Sequence, residues 1–223
     1  VKILTCKQHS TEWETARLGL VTASEADALI SPTFEVRKGL GVETYLYEKL
    51  SEKILGYKVQ TGGTFEMEQG NIVEAIARPW FACEYDVNVR EVGFIIGDDP
   101  RIGCSPDGIL PDGTGLEIKC PQGPRQLKYY VKNEVPPEYR VQIAFSLYVT
   151  KAPYWTFVSY HRALPPLVVK VERNEKEMAA IHEALAKFFA QFDPIYARIK
   201  SKLDAENAAK EAAYLAANKP RTP

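Results

Sequence analysis

Asp107, Glu117 and Lys119 are the side chains whose types and spacing best suit chemistry. They fall in the stretch 103–121, GCSPDGILPDGTGLEIKCP. Ile109 and Leu110 run into Pro-Asp-Gly-Thr-Gly, a cluster of turn formers, and Leu116-Glu117-Ile118-Lys119 resumes an apolar/charged alternation, which predicts a β-hairpin. Side chains alternate faces along a strand, so Glu117 and Lys119 share one face while Leu116 and Ile118 take the other, the expected core face. Asp107 reaches the charged face from the partner strand. Two carboxylates and an ammonium converging there suit a hard divalent cation and a water that the lysine orients or helps to deprotonate. Spacing alone also fits an ordinary hairpin with its charges turned to solvent.

Capping and periodicity outline the elements that must carry this hairpin. A short helix is expected over 10–18, ending at Gly19. Thr22-Ala23-Ser24-Glu25 offers a capping box that opens a helix to about Ile30, before Pro32. A helix start exposes unpaired N–H groups and suits a phosphate. Ser24 lies there and Arg17 could lie close by, although a capping serine and a solvated arginine are the commoner uses of these residues. Val42, Tyr45, Leu46, Leu50 and Ile54 recur at helical spacing, closed by Gly56. Thr61-Gly62-Gly63-Thr64-Phe65-Glu66-Met67 reads as a Gly-rich loop in which Phe65 and Met67 either tuck into the core or form an apolar wedge against DNA bases.

A helix over 70–81 carries Glu74, and Pro79 inside it predicts a kink one turn further on. A strand over 87–96 leads into the hairpin. A short helix follows over 125–131, then Pro136-Pro137, then a helix over 138–149 on which Gln142 is polar among Val141, Ile143, Ala144 and Phe145. Strands over 154–160 and 167–171 are separated by Pro165-Pro166, and apolar residues from Met178 to Ile199 trace a long amphipathic helix covering the sheet. Residues 204–218 are Ala-rich and suit an exposed or contact-forming helix. The order predicts an α/β fold, a mixed β-sheet flanked by α-helices, as one domain over 1–203 with a helical extension and tail over 204–223.

Composition narrows the function. The 223 residues, 45% hydrophobic and 26% charged, suffice for one well-buried domain. A net charge of -1 and a pI near 6.4 exclude a protein that coats nucleic acid through a general basic excess, so any DNA contact is local. The lack of a long apolar run or a charged-then-apolar N-terminus gives the expectation of a cytoplasmic protein with no membrane span. Cys6, Cys83, Cys104 and Cys120 have no CxxC spacing, which fits reduced thiols rather than zinc or a disulfide framework.

Ser-Pro-Asp, a turn, and Glu-x-Lys between apolar neighbours resemble the PD-(D/E)xK nuclease signature. With Arg17-Leu18-Gly19, Thr22-Ala23-Ser24-Glu25, Cys104-Ser105-Pro106-Asp107-Gly108, Leu116-Glu117-Ile118-Lys119-Cys120-Pro121 and Gln142, the chain resembles the phage lambda exonuclease family, the YqaJ-like viral recombinases, over about 12–200. The resemblance implies a restriction-endonuclease-like core. It also implies that Glu74, Asp107, Glu117 and the Ile118 carbonyl hold two Mg²⁺ ions, with Mn²⁺ able to substitute, and that Lys119 orients the attacking water alone or with Gln142. Arg17, Ser24, Ser105 and Arg125 match the family's pocket for a terminal 5′-phosphate, with Met67 and Phe65 as the wedge candidates.

The activity so implied is ATP-independent digestion of linear double-stranded DNA from the 5′ end, leaving a 3′ single strand for recombination. Further implied are a bacterial or phage-encoded protein, a single-strand annealing protein as partner, and a homotrimeric ring around the DNA. Arg37, Lys38, Lys49 and Lys53 are candidates for a basic strip lining that ring. Cas4-like relatives use a cysteine group near the C-terminus, and no cysteine follows Cys120. Two alternatives remain: a structure-specific endonuclease on the same fold, and a non-catalytic DNA-end-binding protein, against which the presence of every acid and the lysine argues.

Overall fold

β1 (Lys2–Leu4) leads to α1 (Thr11–Arg17), whose N-cap Ser10 accepts a hydrogen bond from the Trp13 N–H. The structure, a computed structural model, describes residues 1–58 and 65–217, with the side chains of 65–74 and 215–217 outside the description. β2 (Val21–Thr22) runs into a 3-10 helix, Ala23–Ala28, in place of the expected helix to Ile30. The capping box does not form. Thr22 caps nothing with its side chain and instead donates its hydroxyl to the Glu25 carboxylate at 3.2 Å. That carboxylate also pairs with Lys49 and Lys58, which draws it away from the Thr22 backbone.

α2 (Leu40–Leu55) ends at Gly56, whose left-handed φ of 76° favours a residue without a Cβ. α3 (Phe65–Glu84) starts earlier than expected, so Phe65 and Met67 belong to a helix rather than a loop, and it continues through Pro79. Lacking an N–H, Pro79 leaves the Ala75 carbonyl without its helical donor. The expected strand over 87–96 is divided between two sheets. Arg90 bridges Ile109, while β3 (Phe94–Ile96) pairs elsewhere.

β3 lies between β1 and β4 (Ile102–Cys104), and β2 adds in parallel to β4, giving the order β1-β3-β4-β2. The second sheet contains β5 (Gly108–Ile109), β6 (Gly115–Lys119), β7 (Tyr154–His161) and β8 (Leu164–Glu172), in that order. β6 and β7 are parallel, from Gly115↔Trp155 to Lys119↔Ser159, and are joined through α4 (Gly123–Lys132) and α5 (Pro137–Thr150). Pro165 and Pro166 lie inside β8 rather than before it. An edge strand tolerates them because one row of its N–H groups is unpaired anyway.

α5 touches both sheets, the 3-10 helix and α6 (Glu175–Ala217), and its buried residues include Val141, Ile143, Ala144, Phe145, Ser146, Leu147 and Val149. β6 is therefore covered on both faces. Leu116 and Ile118 pack with Ala77, Phe81 and Val158, and Glu117, expected on a charged outer face, is 2% exposed. α6 is one continuous helix, so the Ala-rich segment is its distal end rather than a separate element. Side chains over 204–214 are all exposed, and Lys200–Asp204 and Lys202–Glu206 pairs support that end. Among the described residues no helix is long and apolar enough to cross a membrane.

Gly115 registers beside Trp155, and a Cβ at this position would lie 2.0 Å from the indole ring. Both residues are buried. Gly115→Ala is expected to destabilise the fold by about 1–3 kcal/mol through overpacking, read from urea midpoints. A change below about 0.5 kcal/mol would show that Trp155 can yield, since buried overpacking normally costs more.

Candidate active site

Glu117 sits in the middle of an interior strand, and its two carboxylate oxygens differ. Oε1 accepts from Gln142 Nε2 at 2.5 Å and pairs with Lys119 Nζ at 2.7 Å. Oε2 is buried and has no hydrogen-bond partner among the described residues. A buried carboxylate oxygen left bare is costly, which marks a place for a cation or a donor. Gln142, reached from α5, thus fixes the carboxylate.

Asp107 comes from the turn just before β5. Its N–H donates to Leu116 O at 2.9 Å, and its Oδ2 accepts the Ile118 N–H at 2.5 Å. A strand residue presents its N–H and C=O to the same edge, so the Ile118 carbonyl faces the Asp107 side. Two carboxylates and a carbonyl form an all-oxygen donor set of the kind Mg²⁺ or Mn²⁺ takes. Among the described residues no group of three or more His, Cys, Asp or Glu forms a metal cluster. The Glu74 side chain, the expected third acid, lies outside the described residues, as do those of Phe65 and Met67.

Lys119 lies 26% exposed beside Glu117, with its Nζ 5.2 Å from the Tyr139 ring centroid. Tyr139 in turn stacks on Phe157 of β7. Burial works against the Lys119 charge, but the Glu117 and Asp107 carboxylates outweigh it and raise the ammonium's pKa above its ordinary value. Lys119 is therefore a charged donor at the mouth of the site.

A second cluster adjoins the first. Arg17 donates to Ser105 Oγ and Ser24 Oγ, each at 3.1 Å, and its guanidinium lies 4.1 Å from the Trp13 ring centroid. Trp13 donates its indole N–H to Ser105 Oγ at 2.8 Å. Burial pulls the Arg17 pKa down, against opposing pulls from Glu25, Tyr45, Glu52 and Cys104. Among the described residues Arg17 is in no ion pair. A half-buried guanidinium among hydroxyls is suited to grip an anion with parallel hydrogen bonds. Arg125 is exposed on α4, with no hydrogen bond to Arg17, Ser24 or Ser105. The structure thus brings three of the four expected phosphate residues together.

The expected basic strip needs correction at Lys49. It is 3% exposed, held between Glu25 at 2.9 Å and Glu52 at 2.8 Å, because α2 turns this face inward onto the 3-10 helix. Arg37, Lys38 and Lys53 are exposed.

A model of the YqaJ-like viral recombinase domain matches residues 12–153, more than half of the chain. The chain belongs to the YqaJ-like viral recombinase family. It is similar to an alkaline exonuclease (LHK-Exo) from Laribacter hongkongensis, solved alone and in complex with dAMP. The identity is 27% and the TM-score 0.76, over 88% of this chain and 99% of that one. A phage related exonuclease from Haemophilus somnus 129PT shares the fold, at 12% identity and a TM-score of 0.61, over 81% and 96% of the two chains. No curated protein matches.

In this family member, sequence reasoning missed Trp13, Gln8 and Arg78. Trp13 is four residues before Arg17, a spacing that places both on one helix face and could have paired them. Arg78 likewise follows Glu74 by one helical turn. Gln8 had no local signal, since it acts across 84 and 98 residues, donating to Val92 O and Pro106 O.

Also missed was the charge network beneath the Arg17 pocket. Glu52 accepts the Gly19 N–H at 3.0 Å, and Glu25 takes Lys49, Lys58 and the Thr22 and Tyr45 hydroxyls. Burial alone would raise the Glu25 pKa, but Lys49 and Lys58 together lower it from 4.5 to about 2. A depressed carboxylate stabilises the fold fully above its unfolded pKa and loses that contribution as pH falls through the folded one. Glu25→Gln is therefore expected to be less stable than the parent at pH 7, with the gap closing between pH 4.5 and about 2. Urea midpoints along that pH series read the effect, and a gap independent of pH would assign the loss to packing instead.

Proposed function

We propose that the chain is a Mg²⁺-dependent, ATP-independent 5′-to-3′ exonuclease that degrades one strand of linear double-stranded DNA and leaves a 3′ single-stranded overhang for strand annealing. The observation that carries this reading is the buried Glu117 Oε2, bare among the described residues beside Asp107 and the charged Lys119. Family membership and the likeness to an alkaline exonuclease support it.

Asp107, Glu117, the Ile118 carbonyl and Glu74 are assigned as the residues that would hold two Mg²⁺ ions, or Mn²⁺ in their place. Bound there, the metal supplies charge neutralisation at the scissile phosphate and at the leaving oxygen. Lys119, held by Glu117 and shielded by Tyr139, orients the attacking water. Gln142 keeps the Glu117 carboxylate from rotating. Arg17, Ser24 and Ser105 hold the terminal 5′-phosphate, with Arg125 closing on it from α4, and Phe65 and Met67 part the end base pairs. The working form is a homotrimeric ring around the duplex, with a single-strand annealing protein receiving the overhang.

The test is incubation with Mg²⁺ and linear duplexes that carry or lack a 5′-phosphate, with a closed circle as control. Linear 5′-phosphorylated DNA should be shortened and the circle left intact; cutting of the circle would favour the structure-specific endonuclease. Lys119→Ala should lower the rate at least about 100-fold, as loss of a proton-transferring or water-orienting group does, with DNA binding retained. A near-normal rate would remove Lys119 from the reaction.

Two further expectations follow from the same assignment. Arg125→Ala should narrow the rate advantage of phosphorylated over hydroxyl ends, whereas equal losses on both would give Arg125 another role. Light scattering at micromolar protein should report a trimer. A monomer unchanged by DNA would sink the ring.

A further inference from the structure

The segment Ser105-Pro106-Asp107 links the two clusters. It leaves β4 of the first sheet and enters β5 of the second, carrying the Ser105 hydroxyl into the Arg17 pocket and the Asp107 carboxylate to the Ile118 N–H. It lies outside every strand, and only Asp107 is tied to β6, through its N–H to Leu116 O and its carboxylate to the Ile118 N–H.

Two side chains hold its backbone from outside. Gln8 Nε2 donates to Pro106 O at 2.8 Å and to Val92 O at 3.1 Å, tying the link to the chain entering β3. Arg78 Nε donates to Asp107 O at 2.6 Å, while Arg78 Nη1 pairs with Glu91 Oε1 at 2.6 Å. The Arg78 side chain is only 17% exposed, and it reaches the link from α3, the helix that carries Glu74. Gln8, Arg78, Glu91 and Asp107 line one cleft of about 460 Å³ beside the site. Consecutive carbonyls are thus clamped from two separate parts of the chain, the turn before α1 and α3.

We infer that Gln8 and Arg78 are positioning residues that hold Ser105-Pro106-Asp107 in one conformation, and so set the distance between the end-phosphate hydroxyl and the metal-binding carboxylate. This rests on the assignment of Asp107 as a metal ligand. A carboxylate on a loosely held link must be ordered when the cation binds, so releasing the link weakens the cation. Arg78 is the stronger clamp, because a charged donor to a carbonyl is worth more than a neutral amide.

Calorimetric titration of Mn²⁺ into the full chain tests the inference without any turnover. It compares the parent, Asp107→Ala, Arg78→Ala, Arg78→Lys and Gln8→Leu, with the unfolding midpoint of each measured in chelator. Arg78→Ala should weaken Mn²⁺ by about tenfold or more, the usual effect of losing a partner behind a metal ligand. Arg78→Lys should recover most of the affinity, since its ammonium can still donate to the Asp107 carbonyl. Gln8→Leu should weaken Mn²⁺ by a smaller factor and serves as the second variant if Arg78→Ala fails to fold.

Parent-like Mn²⁺ affinity in Arg78→Ala and Gln8→Leu, alongside a loss in Asp107→Ala, would overturn the clamp and leave the proposed function standing. Parent-like affinity in Asp107→Ala would overturn both. A loss in Arg78→Ala that follows a lowered unfolding midpoint and is not recovered by lysine would also overturn the clamp, since it would reduce Arg78 to general support of the fold.

Discussion

A carboxylate buried in the centre of a β-sheet is the constraint on which the rest of the structure depends. Glu117 is 2% exposed, with Lys119 and Gln142 on one oxygen and no hydrogen-bond partner on the other among the described residues. Placing a charge there costs several kcal/mol unless it is compensated, so the neighbours must be held accurately. The parallel β6–β7 register sets Phe157 beside Glu117 and Ser159 beside Lys119. Phe157 seats Tyr139, which covers the lysine, and α5 delivers Tyr139 and Gln142 from one helix.

The two sheets divide the work. The first sheet and its leading helices build the Arg17 cluster, in which Arg17 is backed by Trp13 and faces only hydroxyls among its hydrogen-bond partners. The second sheet builds the acidic face. α5 packs against both, and its apolar residues on nearly every side are what a central helix requires. The Arg17 cluster and the Glu117 cluster thus stand on separate sheets that meet at Ser105-Pro106-Asp107, and the proposed function assigns end recognition to the first and chemistry to the second.

What the sequence made legible was local. Turn formers between Leu110 and Leu116 and a period of two after them were enough for the hairpin, and the spacing of α2, α5 and α6 revealed their helices. What it hid was set by distant partners. Glu117 and Lys119 read as a charged face opposite the core, and nothing near them in sequence says that α5 residues cover them. The 87–96 segment alternates like one strand, yet Arg90 and Phe94 pair with different sheets, a division decided by β5 and β1. Lys49 read as one of a basic strip because its counter-charges are Glu52 one turn on and Glu25, in the preceding 3-10 helix. Thr22 and Glu25 fit a capping box by spacing, and the same lysine diverted the glutamate.

The central claim is that Glu117 Oε2 is bare because its partner is a divalent cation. Anomalous diffraction at the manganese edge, from crystals of the full chain soaked in Mn²⁺, tests it most directly. The account expects an anomalous peak within about 2.0–2.3 Å of Glu117 Oε2 and an Asp107 carboxylate oxygen, the range for such ions with oxygen ligands. A well-ordered site with no anomalous peak there, and Glu117 Oε2 hydrogen-bonded to a protein donor, would contradict it.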